Sequence, residues 1–278
     1  MKENALPRCP AASTSFFLRV TLNAMRLHYR QYGSHPGPPL VILHGLFGSL
    51  NNWHSHARAF GEQRTVYTID ARNHGASPHD PDATYPAMSA DLLEFFDEHH
   101  IAVAIVMGHS MGGKTAMQFA ADHPERVASL IIVDMAERPY EPVHQEIFAA
   151  LERVDPGSYG TREEVDRELG RTILKEPVRQ FLTANIVRDE SGRMKWRMNV
   201  PALKACYDQL AGRVDIPRSF MKPILFIRGD RSQFITPDDE REIRANHPHA
   251  RIVTVPDAGH WVHADNPAGF RAAVNVLL

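Results

Sequence analysis

Ile105-Val106-Met107-Gly108-His109-Ser110-Met111-Gly112-Gly113-Lys114 is the stretch on which the reading of this chain turns. An apolar, β-branched run passes through Gly-x-Ser-x-Gly straight into a helical pattern. Residues 102–107 read as a buried strand and 110–123 as a helix, so the serine stands at a sharp strand-to-helix turn. Such a turn holds its residue in a strained backbone conformation that lifts the side chain out of the sheet, and Gly108 and Gly112 leave room for the close backbone packing this requires. Ser110 is therefore the candidate nucleophile. The bare pattern of three fixed residues is weak evidence; its flanks make it specific.

A serine nucleophile needs a base, an acid that orients the base, and donors for an oxyanion. His260 is the expected base: Val253-Thr254-Val255-Pro256-Asp257-Ala258-Gly259-His260 reads as a last strand ending in a Gly-His loop ahead of a C-terminal helix. The chain has 16 histidines, so placement and not residue type selects this one. His263 is the local rival and reads as helix entry or a lid contact. The oxyanion donors are expected from the backbone N–H of Met111 and from Leu46, in the glycine-bracketed His44-Gly45-Leu46-Phe47-Gly48-Ser49 that follows the strand Pro39–Leu43.

Two aspartates compete as the acid. Asp134 closes the strand 129–133, at the C-terminal edge of the sheet and facing the same crevice as the serine and histidine. Asp230 follows Gly229 directly, after the strand 223–228, while Ser232 occupies the position three beyond that glycine where enzymes of this architecture usually carry the acid. Asp134 is the stronger reading, with Ser232 as a supporting hydrogen-bond partner, and Asp230 stays open.

Strand patterns recur at 16–22, 26–32, 39–44, 65–70, 102–108, 129–134, 223–228 and 251–256, with the first two joined by a hairpin at Asn23-Ala24. Helical patterns at 51–61, 87–99, 110–123, 237–246 and 267–278 fall between the later strands. This alternation predicts an α/β fold: a mostly parallel eight-stranded sheet with helices on both faces. Residues 1–15 read as a loosely ordered tail, 16–135 and 221–278 as the core. Residues 136–220, between the sixth and seventh strands, read as a helical lid with amphipathic stretches at 143–154, 162–174, 177–185 and 201–214 and a hairpin turn at Asp189-Glu190-Ser191-Gly192. An insertion at this edge can roof the serine and shape an acyl pocket, for which Phe47, Phe148, Phe181, Leu182, Trp196 and Trp261 are the expected lining.

Taken together, HGLFGS (44–49), DARNHGASPH (70–79), GHSMGGKTAM (108–117), IIVDMA (131–136), RGDRSQFI (228–235) and AGHWVHADNP (258–267) resemble the YbfF-like esterases, a bacterial α/β-hydrolase group with a mitochondrial relative in animals. The resemblance runs from about Leu40 to the C-terminus and leaves residues 1–15 outside. It implies the α/β-hydrolase fold and an acid after the sixth strand with a serine in the usual seventh-strand position, which maps onto Asp134 and Ser232. The charged turn Asp230-Arg231 departs from the pattern. The expected activity is that of a serine hydrolase cleaving carboxylic esters of short to medium acyl chains through an acyl-enzyme. Thioester hydrolysis is the nearest alternative, and a catalytically silent ligand-binding member of the fold is the rival from another class.

Composition is compatible with this. At 278 residues one well-buried core is available. A formal charge of −2 with mixed signs offers no basic face for nucleic acid. Cys9 and Cys206 make no disulfide framework, no apolar run spans a membrane, and a cytoplasmic monomer or small homo-oligomer is expected. Three histidine clusters (His54/His56, His99/His100, His247/His249) lack the accompanying ligand spacing of a metal site, and no dinucleotide loop is present, so neither metal nor cofactor is implied. Arg72 reads as a brace for the oxyanion loop, and Lys114 as a structural contact.

Overall fold

The computed structural model describes residues 25–278. The expected tail, Cys9, the strand 16–22 and its turn at Asn23-Ala24 lie outside the described residues. Along the chain the strands are β1 (Tyr29–Tyr32), β2 (Leu40–Leu43), β3 (Val66–Ile69), β4 (Ala104–His109), β5 (Val127–Val133), β6 (Ile186–Arg188), β7 (Met194–Trp196), β8 (Ile224–Gly229) and β9 (Arg251–Val255). The α-helices are α1 (His54–Phe60), α2 (Tyr85–Glu98), α3 (Met111–Asp122), α4 (Gln145–Arg153), α5 (Arg162–Leu169), α6 (Glu176–Thr183), α7 (Val200–Ala205), α8 (Tyr207–Leu210), α9 (Pro237–Asn246), α10 (Val262–Asp265) and α11 (Pro267–Val274).

Among the described residues the main sheet has seven strands in the order β1-β3-β2-β4-β5-β8-β9. β1 pairs antiparallel with β3, and every other pairing is parallel. Its central strands are apolar on both faces because helices cover both. The period-two alternation sorts their side chains: Leu40, Ile42, Ile105, Met107, Ile131, Val133, Leu225 and Ile227 pack with Trp53, Phe60 and Phe270 on the side of α1 and α11. Val41, Val106, Leu130, Ile132 and Phe226 point the other way, against α2 and α3 through Leu92, Phe96 and Phe119. Crossovers in β2, β4, β5 and β8 bring the C-terminal ends of these strands to one edge.

Between β5 and β8 the chain leaves the sheet and forms α4 to α8 with the antiparallel ribbon β6–β7, whose turn uses Gly192 at φ 83°. The predicted helix 201–214 is broken into α7 and α8 at Cys206. Both ends of this inserted segment are fastened beneath the sheet edge by Lys114, one turn into α3. Its fully buried ammonium donates to the carbonyls of Glu137 (3.3 Å), Arg138 (2.7 Å) and Gly212. Tyr140 N–H to Ala211 (2.8 Å) and Val214 N–H to Glu137 (3.0 Å) complete the junction. Burial, then the guanidinium groups of Arg138 and Arg213, lower the Lys114 pKa to about 8. Among the described residues no helix is long and apolar enough to cross a membrane.

Candidate active site

Ser110 separates β4 from α3 with φ 53° and ψ −117°. A non-glycine residue here carries strain of order 1–3 kcal/mol, held by Ser110 N–H to Val133 O (3.1 Å) and by Lys114 N–H to Ser110 O (3.1 Å). The neighbouring glycines are required sterically. A Cβ at Gly108 would collide with the Gly112 backbone, and one at Gly112 with the carbonyls of Leu43 and His44. The hydroxyl is thereby half-buried at the positive end of α3, facing a cavity.

His260 reaches the same cavity from the loop after β9. Its Nδ1 lies 2.8 Å from Asp134 Oδ2. Asp134 follows β5, is fully buried, takes φ 50°, and anchors its N–H on Ile227 (2.7 Å). Its Oδ1 accepts the N–H of Gly229 (3.2 Å), and its Oδ2 also accepts the Ser232 hydroxyl. Because an ionised carboxylate only accepts, the imidazole proton sits on Nδ1 and the Nε2 lone pair is free. Burial raises the Asp134 pKa to about 6 against the opposing pull of the Ser232 and Gly229 donors. Burial, and then nearby His144, lowers that of His260 to about 3, which keeps the base neutral. Asp230 is exposed, accepts the Ala258 N–H (3.1 Å), and makes no hydrogen bond to His260 among the described residues.

The loop carrying Leu46 is held from several directions. Gly48 N–H closes on Gly45 O (2.9 Å), and Phe47 adopts φ 62°. Leu50 N–H donates to Asp70 Oδ1 (2.7 Å) and Phe47 N–H to His74 Nε2 (3.3 Å). His44 Nε2 accepts from Ala71 N–H (3.0 Å). Burial lowers the pKa of both histidines, keeping them neutral and able to accept. The N–H groups of Leu46 and Met111 have no acceptor among the described residues, and both residues border the space beside Ser110. The expected Arg72 brace is corrected: Arg72 is tied to Asp91 by two 2.6 Å bonds, and Asp70 and His74 do the bracing. Asn185 of the inserted segment, unremarked in the sequence, donates to Phe47 O (2.7 Å).

The cavity has a volume of 350 Å³. Of the expected lining, Phe47, Phe181, Leu182 and Trp261 border it, with Phe181 and Trp261 ring to ring at 5.2 Å. Phe148 and Trp196 do not. Phe148 is fully buried behind Phe47 (5.0 Å), and the Trp196 indole donates to Leu151 O and Val154 O inside the inserted segment. Sequence reasoning missed Ile147 and Val178, which share helical faces with His144 and with Phe181 and Leu182 at spacings of three and four. It also missed Phe234, whose ring stacks on His260 at 3.7 Å and 18°. His263 stands at the start of α10, borders the cavity, and is buried against Trp53, stacked at 4.3 Å. His109 Nε2 donates to His260 O (2.8 Å) and steadies the loop.

A strained serine at an elbow, a neutral histidine bonded to a buried aspartate, and two backbone donors beside the serine with no acceptor among the described residues resemble the arrangement of the serine hydrolases. The chain belongs to the α/β-hydrolase family, whose profile it matches over residues 38–267, and to the YbfF-like branch of that family. It is 37% identical over 245 residues to esterase YbfF of Escherichia coli, covering 88% of this chain and 94% of the relative. It is 40% identical over 250 residues to the mouse sn-1-specific diacylglycerol lipase ABHD11, covering 87% and 81% respectively. A solved marine microorganism esterase superposes with a TM-score of 0.87 at 40% identity, covering 91% of this chain and all of that one.

Proposed function

We propose that this protein hydrolyses carboxylic esters through an acyl-enzyme on Ser110. The observation that carries the reading is the 2.8 Å bond from His260 Nδ1 to buried Asp134, with His260 and Ser110 bordering one cavity. His260 Nε2 takes the Ser110 proton as the hydroxyl oxygen bonds the acyl carbon, and the N–H groups of Leu46 and Met111 stabilise the oxyanion. The C–O bond to the alcohol then breaks, and His260 returns the proton to the leaving oxygen. Water attacks the acyl-enzyme by the same route, releasing the acid and restoring Ser110. Asp134 holds the imidazole in the required tautomer, and Ser232 supports Asp134.

Residues 136–220 act in this reading as a lid, because Ile147 of α4 and Val178, Phe181 and Leu182 of α6 line the cavity. A confined, largely apolar site suits soluble esters of short to medium acyl chains better than emulsified triglyceride. The test is turnover of p-nitrophenyl esters by Ser110→Ala and His260→Ala, run beside acyl-CoA thioesters. Both variants lose about four orders of magnitude or more with the fold intact. Retention of more than about a thousandth of the wild-type rate by Ser110→Ala overturns the assignment.

A further inference from the structure

Ser110 borders two cavities of unequal size. Beside the 350 Å³ space lies one of 40 Å³, walled by Leu46, Met111, Met135, Tyr140 and Leu210 among others. His260 borders the large cavity and not the small one; Met111 borders the small one and not the large. Resting on the reading of Ser110 as nucleophile, this asymmetry orients the substrate. The tetrahedral carbon on the serine has three other substituents. Its oxyanion turns to the N–H groups of Leu46 and Met111. The alcohol oxygen must receive its proton from His260 Nε2, so the alcohol portion lies on the histidine side, in the large cavity. The acyl chain is left with the small one.

The small cavity is also built not to give. Tyr85 Oη donates to Leu210 O (2.7 Å), and Tyr140 Oη donates to Phe234 O (2.6 Å) while accepting from Ala136 N–H (2.7 Å). Tyr207 Oη accepts from His144 N–H (2.9 Å). With these hydroxyls committed to the protein, the wall offers mostly ring carbons, thioethers and methyl groups to an acyl chain, with Glu141 and His144 beside them, and the Tyr85 bond ties α8 to α2. On a measure in which roughly 10–15 Å³ holds one water, 40 Å³ admits about three water-sized groups, an acyl chain of roughly two to four carbons. We propose that the small cavity is the acyl site and the large one the alcohol site, so that the enzyme takes acetyl to butyryl esters of bulky apolar alcohols.

Two substrate series on the wild-type protein test this. With p-nitrophenol as the constant leaving group, kcat/KM falls by about tenfold or more at the first methylene beyond capacity and further by octanoate, since an apolar pocket discriminates one excess methylene by roughly that factor. With acetate as the constant acyl group, ethyl to octyl esters stay within about fivefold or improve with length, because apolar area is buried in the large cavity. Leu210→Ala, which opens the small cavity, raises the octanoate-to-acetate ratio about tenfold. Octanoate turned over as well as acetate by the wild type overturns the proposal, as does a steep loss along the alcohol series beside a flat acyl series. Turnover that persists in Ser110→Ala overturns the nucleophile reading instead, and the assignment of the two cavities with it.

Discussion

Replacing Asp134 by Asn changes one atom in a site where each carboxylate oxygen has an assigned donor. Oδ1 receives the Gly229 N–H, and Oδ2 receives both the Ser232 hydroxyl and the His260 Nδ1–H. An amide has two ways to sit. With its NH2 at the Oδ2 position it donates to His260 Nδ1, which forces the proton onto Nε2 and removes the lone pair that accepts from Ser110. With its NH2 at the Oδ1 position it opposes the Gly229 N–H in a fully buried site, at a cost of about 1–3 kcal/mol. The inactive tautomer is therefore the populated one. The variant also loses the negative charge that stabilises the imidazolium formed in the transition state. We expect kcat on p-nitrophenyl acetate to fall by about three to four orders of magnitude, or roughly 4–5.5 kcal/mol of barrier. Ser232→Ala removes one supporting donor and costs about tenfold, while Asp230→Asn, on an exposed cap, stays within about twofold. An Asp134→Asn enzyme keeping more than about a tenth of wild-type kcat, beside a near-dead Asp230→Asn, refutes the reasoning.

Two further outcomes follow. Activity needs neutral His260 and ionised Asp134; the first is lowered to about 3 and the second raised to about 6, so kcat/KM rises with pH through an apparent pKa near 6 that belongs to the pair. A pH–rate profile whose acid limb is centred above about 7.5 contradicts this. Lys114→Met leaves three carbonyls without their donor and should destabilise the fold by about 2–4 kcal/mol, which calorimetry reads as a fall of roughly 4–16 °C in Tm; a transition unmoved within about a degree contradicts that junction's role.

The parts of the site legible in the sequence are those in which local backbone chemistry dictates residue type. Gly108 and Gly112 are demanded by the crossing of β4, α3 and β2, so the elbow announces itself. Asp134 and Ser232 follow from strand ends, since parallel strands deliver their C-terminal residues to one edge. The parts that were not legible depend on contacts between distant segments. Asp70, His74 and Asn185 reach the Leu46 loop across 20 to 138 residues, and nothing local distinguishes Asp70 or His74 from Arg72 in the same loop. Phe148 and Trp196 are aromatic residues of the inserted segment just as Phe181 is, and only the packing of α4 against Tyr207 and the ribbon separates a wall residue from one behind it. The 16–22 strand remains outside the described residues.

Ser110 as the nucleophile is tested most directly by covalent labelling of the folded wild-type protein with a fluorophosphonate, followed by peptide mapping. Stoichiometric modification confined to Ser110 is expected, abolished in Ser110→Ala and slowed in Asp134→Asn by about the same three to four orders of magnitude as kcat. A folded protein that resists the probe, or one labelled at a serine other than Ser110, contradicts it.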